Sequence, residues 1–513
     1  MSGGTSQGKV YLVGAGPGDP GLLTLRARDL LAVADYVFYD ALSASELLQW
    51  ASARAQIVFV GKSSGRQAFS QREIEALLVR HALEGARVVR LKGGDPFLFG
   101  RGGEEGEALA AAGIPFEVVP GVSSALGAAA YAGIPLTHRG IASEVAIATG
   151  HEDPTKPGAS VDWAALGGLD GTKVILMGAE RLGEICRRLL EGGAEEECPI
   201  AAIRWGTTGR QEVRECTLRE AASGEFFARS PAVIVVGEVV KLRKRLSWRE
   251  ELPLFGQRVV VTRTRSESSR LGKWLRELGA DVLEIPTIRI VPRLFRDSQR
   301  DLIRRLGSDF SWVILTSPIG ADLFLRHVFE TTGDLRALGK LRFAAVGGAT
   351  AAAVRRFHLA VDRVPESYTT AALASCFGPE DLRGSRVCLA RSALGNPELP
   401  GSLRRFGAHV EEWVLYDTEP ELGDRTGARG RFLEEGAHWI LFASSSAAEN
   451  WQKLDLRPSE GASSPRALSI GPVTTQALHR LGVPVFAEAA EHSIDGLVGC
   501  LLGLAQKEQE KQV

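Results

Sequence analysis

Cysteine is scarce in this chain and follows no pattern. Cys186, Cys198, Cys216, Cys376, Cys388 and Cys500 are all there are in 513 residues, with no C-x-x-C pair and no histidine at ligand spacing. That argues against a zinc site, any other metal centre or a disulfide framework, and favours reduced thiols. An excess of one charge is also missing, since 61 Lys and Arg stand against 62 Asp and Glu. No overall field therefore draws the protein to nucleic acid or to a membrane. No apolar run approaches the ~18 residues of a membrane span, and the opening M-S-G-G-T-S-Q-G has neither a basic n-region nor an apolar h-region. The expectation is a cytoplasmic protein with reduced thiols.

What is present is glycine, at 58 residues, above the usual share of about 7% and without a period. Such a surplus fits many strand-to-helix turns. The length suggests two to four domains at roughly 150 residues each. The charged stretch from Lys241 through Leu252, followed by a fresh strand at Val259–Thr262, places a boundary near residue 253. The basic cluster Lys241–Arg245 reads as a solvated helix end.

Apolar segments at 10–13, 36–39, 57–60, 88–91, 117–119, 145–148, 174–177, 200–203 and 232–236 predict an α/β front half with strands spaced for βα units. Behind the boundary lies an internal repeat. R-V-V-V-T-R-T-R from Arg258 matches R-V-C-L-A-R-S-A from Arg386; W-V-I-L-T-S from Trp312 matches W-I-L-F-A-S from Trp439; F-A-A-V-G-G-A-T from Phe343 matches A-L-S-I-G-P-V-T from Ala467. The offsets are 128, 127 and 124 residues. Three ordered matches at nearly one spacing predict two similar α/β lobes.

The first strand runs into Gly14-Ala15-Gly16-Pro17-Gly18-Asp19. Glycines after a buried strand let the backbone approach a ligand closely. Asp19 replaces the third glycine of a dinucleotide fingerprint, and Pro17 removes an N–H that a pyrophosphate would use. An acidic, donor-poor loop suits an adenosine ligand with a positive centre and no phosphate, as in S-adenosylmethionine. Asp40 lies 26 positions after Gly14, where a dinucleotide fold carries its ribose-binding acid. A nicotinamide-dependent dehydrogenase fused to a small-molecule binding module therefore stays open at this point.

Three further motifs narrow the choice: R-L-K-G-G-D-P-F-L-F-G-R-G-G-E-E at 90–105, V-P-G-V-S-S-A at 119–125 and I-P-L-T-H-R at 134–139. With the opening loop they make residues 8–245 resemble uroporphyrinogen-III C-methyltransferase, a tetrapyrrole methylase of two α/β lobes. The resemblance implies S-adenosylmethionine as cofactor, held by Pro17, Gly93, Gly94, Asp95, Leu98, Ser123, Ser124, Met177, Gly206 and Ala232. Here the segment after V-P-G is Val-Ser-Ser where the family usually has Thr and Ala. It also implies Asp40 as base, Lys62 as acid, Arg101 as holder of substrate carboxylates, and a homodimer. Arg101 stands out on its own account, because Gly100, Gly102 and Gly103 surround a charge that no core needs. Glu104 and Glu105 read as the acidic opening of a helix, and His151 as a loop residue.

Residues 253–505 resemble uroporphyrinogen-III synthase through V-V-V-T-R, I-L-T-S-P, A-V-G-G-A-T, V-L-Y-D-T and I-G-P-V-T. That family has two lobes discontinuous in sequence, here 253–288 with 420–505, and 293–413, and no cofactor. The turns carrying Thr316, Ser317, Thr350, Ser444, Ser445 and Thr474 set hydroxyls and free N–H groups at helix starts, which suits a ligand rich in carboxylates. Tyr416 matches the family's most suggestive side chain, for hydroxyl departure. Its other reading is a tyrosine that stabilises the connector. The expectation is a bifunctional enzyme that cyclises hydroxymethylbilane to uroporphyrinogen III and methylates it twice to precorrin-2, for sirohaem or cobalamin-type products. A methyltransferase with a degenerate, non-catalytic back half is the alternative.

Overall fold

The computed structural model describes residues 8–40, 45–61, 69–152, 160–262, 265–295, 297–367 and 369–512. Lys62 lies outside them. The chain divides into two compact units, one of Met1–Pro286 with Gly423–Val513 and one of Thr287–Leu422.

The larger unit holds three sheets. The first contains β1 (Lys9–Gly14), β2 (Tyr36–Tyr39), β3 (Gln56–Phe59), β4 (Arg87–Lys92) and β5 (Phe116–Val119), ordered β3-β2-β4-β1-β5 and parallel throughout. Val10, Leu12, Val13, Val88, Val89 and Leu91 are completely or almost completely enclosed, as expected for a parallel sheet covered on both faces. The strands' carboxyl ends lie at one edge, where such sheets bind ligands.

The second sheet departs from the βα expectation. It contains β6 (Val145–Thr149), β7 (Thr172–Leu176), β8 (Pro199–Arg204), β9 (Glu212–Thr217) and β10 (Ala232–Val236), ordered β6-β7-β10-β8-β9. Only β6 and β7 are parallel; β7-β10, β10-β8 and β8-β9 are antiparallel. The sequence reading missed β9 because E-V-R-E-C-T is an edge strand whose charged residues face solvent.

The third sheet, ordered β12-β11-β18-β19-β20, is all parallel and contains β11 (Arg258–Val261), β12 (Asp281–Glu284), β18 (Trp439–Phe442), β19 (Arg466–Ser469) and β20 (Val485–Glu488). The smaller unit has one sheet, ordered β13-β17-β16-β14-β15, from β13 (Ile288–Pro292), β14 (Trp312–Leu315), β15 (Arg342–Ala345), β16 (Arg386–Ser392) and β17 (His409–Pro420). Here β13 runs antiparallel to β17 and the other pairs are parallel.

The repeat shows how these two sheets are built. By the sequence matches β11 corresponds to β16, β12 to β17, β14 to β18 and β15 to β19. The orders β12-β11-β18-β19 and β17-β16-β14-β15 are then the same order twice. Each sheet takes the front of one copy and the rear of the other.

Candidate functional site

Three sequence motifs of the front half meet at one point. A Cβ on Gly121 would lie 2.3 Å from the Gly94 carbonyl oxygen and 2.8 Å from Gly14 Cα, and one on Gly14 would lie 2.5 Å from Gly121 Cα. Gly16 and Gly94 exchange backbone hydrogen bonds of 2.8 and 3.2 Å, and both have positive φ. The loops after β1, β4 and β5 therefore interlock through glycine backbone, which no side chain could occupy.

Around this point opens a cavity of about 570 Å³, within the usual range for small-molecule sites. Of the residues expected to hold the cofactor, Pro17, Gly93, Leu98, Ser124, Met177, Gly206 and Ala232 line it. Gly94, Asp95 and Ser123 are not among its lining residues and build its frame instead. Asp95 accepts from Gly121 N–H at 3.0 Å and Phe97 N–H at 2.8 Å, and the buried Ser123 caps helix Ser124–Tyr131. Asp19 is held in the same way: its carboxylate accepts from Gly21 N–H at 2.7 Å and from the Tyr131 hydroxyl at 2.9 Å. Burial, then the neighbouring Asp19 carboxylate, push the Tyr131 phenol up.

Backbone strain is concentrated here. Among the described residues seven non-glycines have positive φ, and Phe99, Met177, Trp205 and Thr207 of these line the cavity. Such conformations persist where the surroundings over-determine them, commonly at ligand sites. Met177 directly follows β7, and Trp205 through Arg210 belong to the β8–β9 turn; all seven residues line the cavity wall. The sequence reading took only Gly206 from that turn; the cluster W-G-T-T-G-R between two β segments was the available signal. His151, read as a loop residue, lies outside any helix or strand just after β6 and also lines the cavity.

Asp40 and Arg101 stand outside that lining. Asp40 follows β2, is a quarter exposed, and accepts from Arg90 Nη2 at 3.2 Å. Arg90 in turn donates to Glu105 at 3.2 Å, and Lys92 donates to the same Glu105 oxygen at 2.8 Å. Arg90, Lys92 and Glu105 are all buried, Glu105 completely. Burial, then the neighbouring Arg90, hold the Lys92 ammonium below its ordinary value. Glu105 lies in the first turn of helix Gly102–Ala111 as expected, and beyond that expectation it is the centre of a buried, charge-balanced cluster. The pattern Gly102, Glu105, Gly106, Leu109 along the helix's buried stripe was the missed signal. Arg101 is exposed, has φ of 58°, and makes a bidentate pair with Glu104 at 2.6 and 2.9 Å.

In the back half, the four turns singled out from sequence all start helices after strands. Ser317 caps Pro318–Thr332 and Ser444 caps Ser445–Lys453, while Gly347 and Gly471 precede the helices that carry Thr350 and Thr474. The Thr350 and Thr474 side chains are buried; Thr316, Ser317 and Ser445 are partly exposed, and Ser444 is exposed. In the smaller unit the Tyr416 hydroxyl is 2.9 Å from Ser317 Oγ, which also accepts from Gly320 N–H at 2.9 Å. Tyr416 packs in the core with Phe324 and Trp413.

Two family models match the chain: tetrapyrrole (corrin/porphyrin) methylases over residues 9–222, and uroporphyrinogen-III synthase HemD over residues 269–499. The porphyrin biosynthesis protein HemD of Ruminiclostridium josui is 34% identical over 500 residues, covering 96% of this chain and 98% of the relative. The S-adenosyl-L-methionine-dependent uroporphyrinogen III methyltransferase of Methanosarcina barkeri is 50% identical over 244 residues, 47% of this chain and 95% of the relative. Among solved structures, uroporphyrin-III C-methyl transferase from Thermus thermophilus complexed with S-adenyl homocysteine is 42% identical, covering 46% of this chain and 99% of that one with a TM-score of 0.41. The chain belongs to the family of tetrapyrrole biosynthesis proteins that join a tetrapyrrole methylase to a uroporphyrinogen-III synthase.

Proposed function

We propose that the back half cyclises hydroxymethylbilane to uroporphyrinogen III with loss of water, and that the front half methylates this product twice to precorrin-2. The observation that carries the methylase reading is the gathering of Pro17, Gly93, Leu98, Ser124, Met177, Gly206 and Ala232 around one cavity. The cavity fits S-adenosyl-L-methionine by its chemistry. Its Gly16–Asp19 loop offers little to a phosphate, Asp19 is already engaged with Gly21 and Tyr131, and Leu98, Leu176, Ile203 and Val233 supply apolar wall for an adenosine. When bound, this cofactor supplies an electrophilic methyl group on a sulfonium.

The protein's own work is positioning and proton removal. Asp40 takes the proton that the alkylated macrocycle must lose, and Arg90, fixed by Glu105, holds the Asp40 carboxylate in place. Arg101 exchanges Glu104 for a substrate carboxylate, which its planar fork suits. Lys62 is assigned the acid role from the resemblance. In the smaller unit, Tyr416 and Ser317 form a hydroxyl pair that assists departure of the substrate hydroxyl, and the helix start at Thr316–Ser317 offers N–H groups and hydroxyls to a carboxylate. In the larger unit the helix start at Ser444–Ser445 offers the same chemistry. At the helix starts of the buried Thr350, in the smaller unit, and Thr474, in the larger, only the backbone N–H groups are left for that role.

The test is incubation with hydroxymethylbilane, with and without S-adenosylmethionine, followed by mass and absorbance. Absence of the type III isomer would sink the synthase assignment, and a product lacking added methyls would sink the methylase. Arg101→Ala is expected to abolish methylation and leave cyclisation unchanged. Tyr416→Phe is expected to slow cyclisation by roughly 2- to 10-fold, the effect of one lost hydrogen bond, and leave methylation unchanged. A crossed result refutes the division of labour.

No helix among the described residues is long and apolar enough to cross a membrane. A cytoplasmic location and a homodimer formed through the methylase half belong to the same proposal, and the dimer is read from the particle mass in light scattering, expected near twice 55.0 kDa.

A further inference from the structure

Four arginines line the cavity, and three of them are paired. Arg210 meets Glu435 at 3.1 Å, Arg276 meets Glu284 at 2.7 Å, and Arg431 is bound by Asp281 and Glu435. Arg249 is different. It is only 4% exposed, its Nε is enclosed without a hydrogen-bond partner, and its side chain makes no ion pair or hydrogen bond among the described residues. What holds it is aromatic: the guanidinium lies 5.2 Å from the Tyr131 ring and 5.9 Å from the Trp248 ring. Those rings are fixed in turn, Tyr131 by Asp19 at 2.9 Å and Trp248 by the Ala130 carbonyl at 3.1 Å.

An unpaired guanidinium in a buried place is costly, and arginine has no access to the relief open to lysine, because it does not lose its proton. Stacking on two aromatic faces offsets part of that cost but supplies no acceptor for the N–H groups. The cavity is the space into which an acceptor can come. We infer that Arg249 is a carboxylate-binding residue of this cavity, and that its planar fork receives a carboxylate carried by one of the two ligands of the methylase reaction. The inference rests on the functional reading above. Two sources share the chemistry: the amino-acid end of the methyl donor, and an acidic side chain of the tetrapyrrole.

The experiment measures binding to the full-length protein by calorimetry and fluorescence quenching, with Arg249→Gln and Arg249→Lys beside the wild type. S-adenosylhomocysteine is compared with 5′-methylthioadenosine, the same thioether nucleoside without a carboxylate, and uroporphyrin III serves as the tetrapyrrole. A loss of about 10- to 100-fold for S-adenosylhomocysteine in Arg249→Gln, with 5′-methylthioadenosine unchanged and partial recovery in Arg249→Lys, supports the donor source. The same loss confined to uroporphyrin III supports the substrate source. Unchanged affinities for both carboxylate ligands overturn the inference, and so does an equal loss for 5′-methylthioadenosine, which reports damage to the cavity instead. Failure of the wild type to bind either nucleoside overturns the cofactor reading itself, and this inference with it.

Discussion

Asp40→Asn is expected to lower methyl transfer by about 10²- to 10⁴-fold, the usual contribution of a positioned general base, while binding of S-adenosylhomocysteine stays as in the wild type. The expectation follows from how the carboxylate is held. Arg90 reaches Asp40 with Nη2 and Glu105 with Nε, so one planar group fixes both acids, and Lys92 adds a second cation to Glu105. Asparagine keeps the shape and can still accept from Arg90, so the fold and the cavity are retained. What is lost is the ability to accept a proton. Single-turnover mixing with pre-formed uroporphyrinogen III reads this step directly. A variant whose rate stays within a few-fold of wild type refutes Asp40 as the base.

The second large effect is structural. Gly121→Ala adds one methyl where the nearest atoms are Gly94 O at 2.3 Å, Gly14 Cα at 2.8 Å and Gly14 C at 2.9 Å. All three are backbone, so no side chain can swing aside. Relief requires the loops after β1 and β4 to separate, and these carry Pro17, Gly93 and Leu98 into the cavity. We expect a loss of about 1–3 kcal/mol or more in stability from overpacking, and at least tenfold weaker binding of S-adenosylhomocysteine. Gly103→Ala is the control, since a Cβ there meets nothing within 4 Å and the residue lies inside helix Gly102–Ala111. That change should be neutral or stabilise by about 0.5–1 kcal/mol. Calorimetric melting of both variants checks the pair, and equal midpoints would refute the interlock.

Buried strands announced themselves in the sequence because parallel sheets covered on both faces require continuous apolar runs, as in Val10–Val13 and Val259–Val261. The edge strand Glu212–Thr217 carries alternating charge and was invisible for the same reason. With it went most of the β8–β9 turn that forms one cavity wall. Motif glycines pointed to a ligand, but their mutual clash at Gly14, Gly94 and Gly121 is a property of three loops brought together from different places. Glu105 reads like its neighbour Glu104 until the helix is given a buried side. Arg249 sits in a charged segment that looks solvated, and only the packing of Tyr131 and Trp248 shows that it is enclosed.

The exchange of halves between the two repeat copies sets an order of events during synthesis. β11 pairs with β12 on one edge, but on the other it needs β18, and Val259 and Trp439 are 180 residues apart. A ribosome adding roughly 5–20 residues per second leaves this apolar edge open for about 9–36 s. A two-stranded ribbon is at best marginally stable by itself. Thr287–Leu422, continuous in sequence, is fully synthesised before β18 emerges and can close during the wait. The nascent chain therefore carries an exposed valine-rich edge past a finished neighbour, and it is in this interval that holding chaperones and the rate of translation bear most directly on the yield of folded protein.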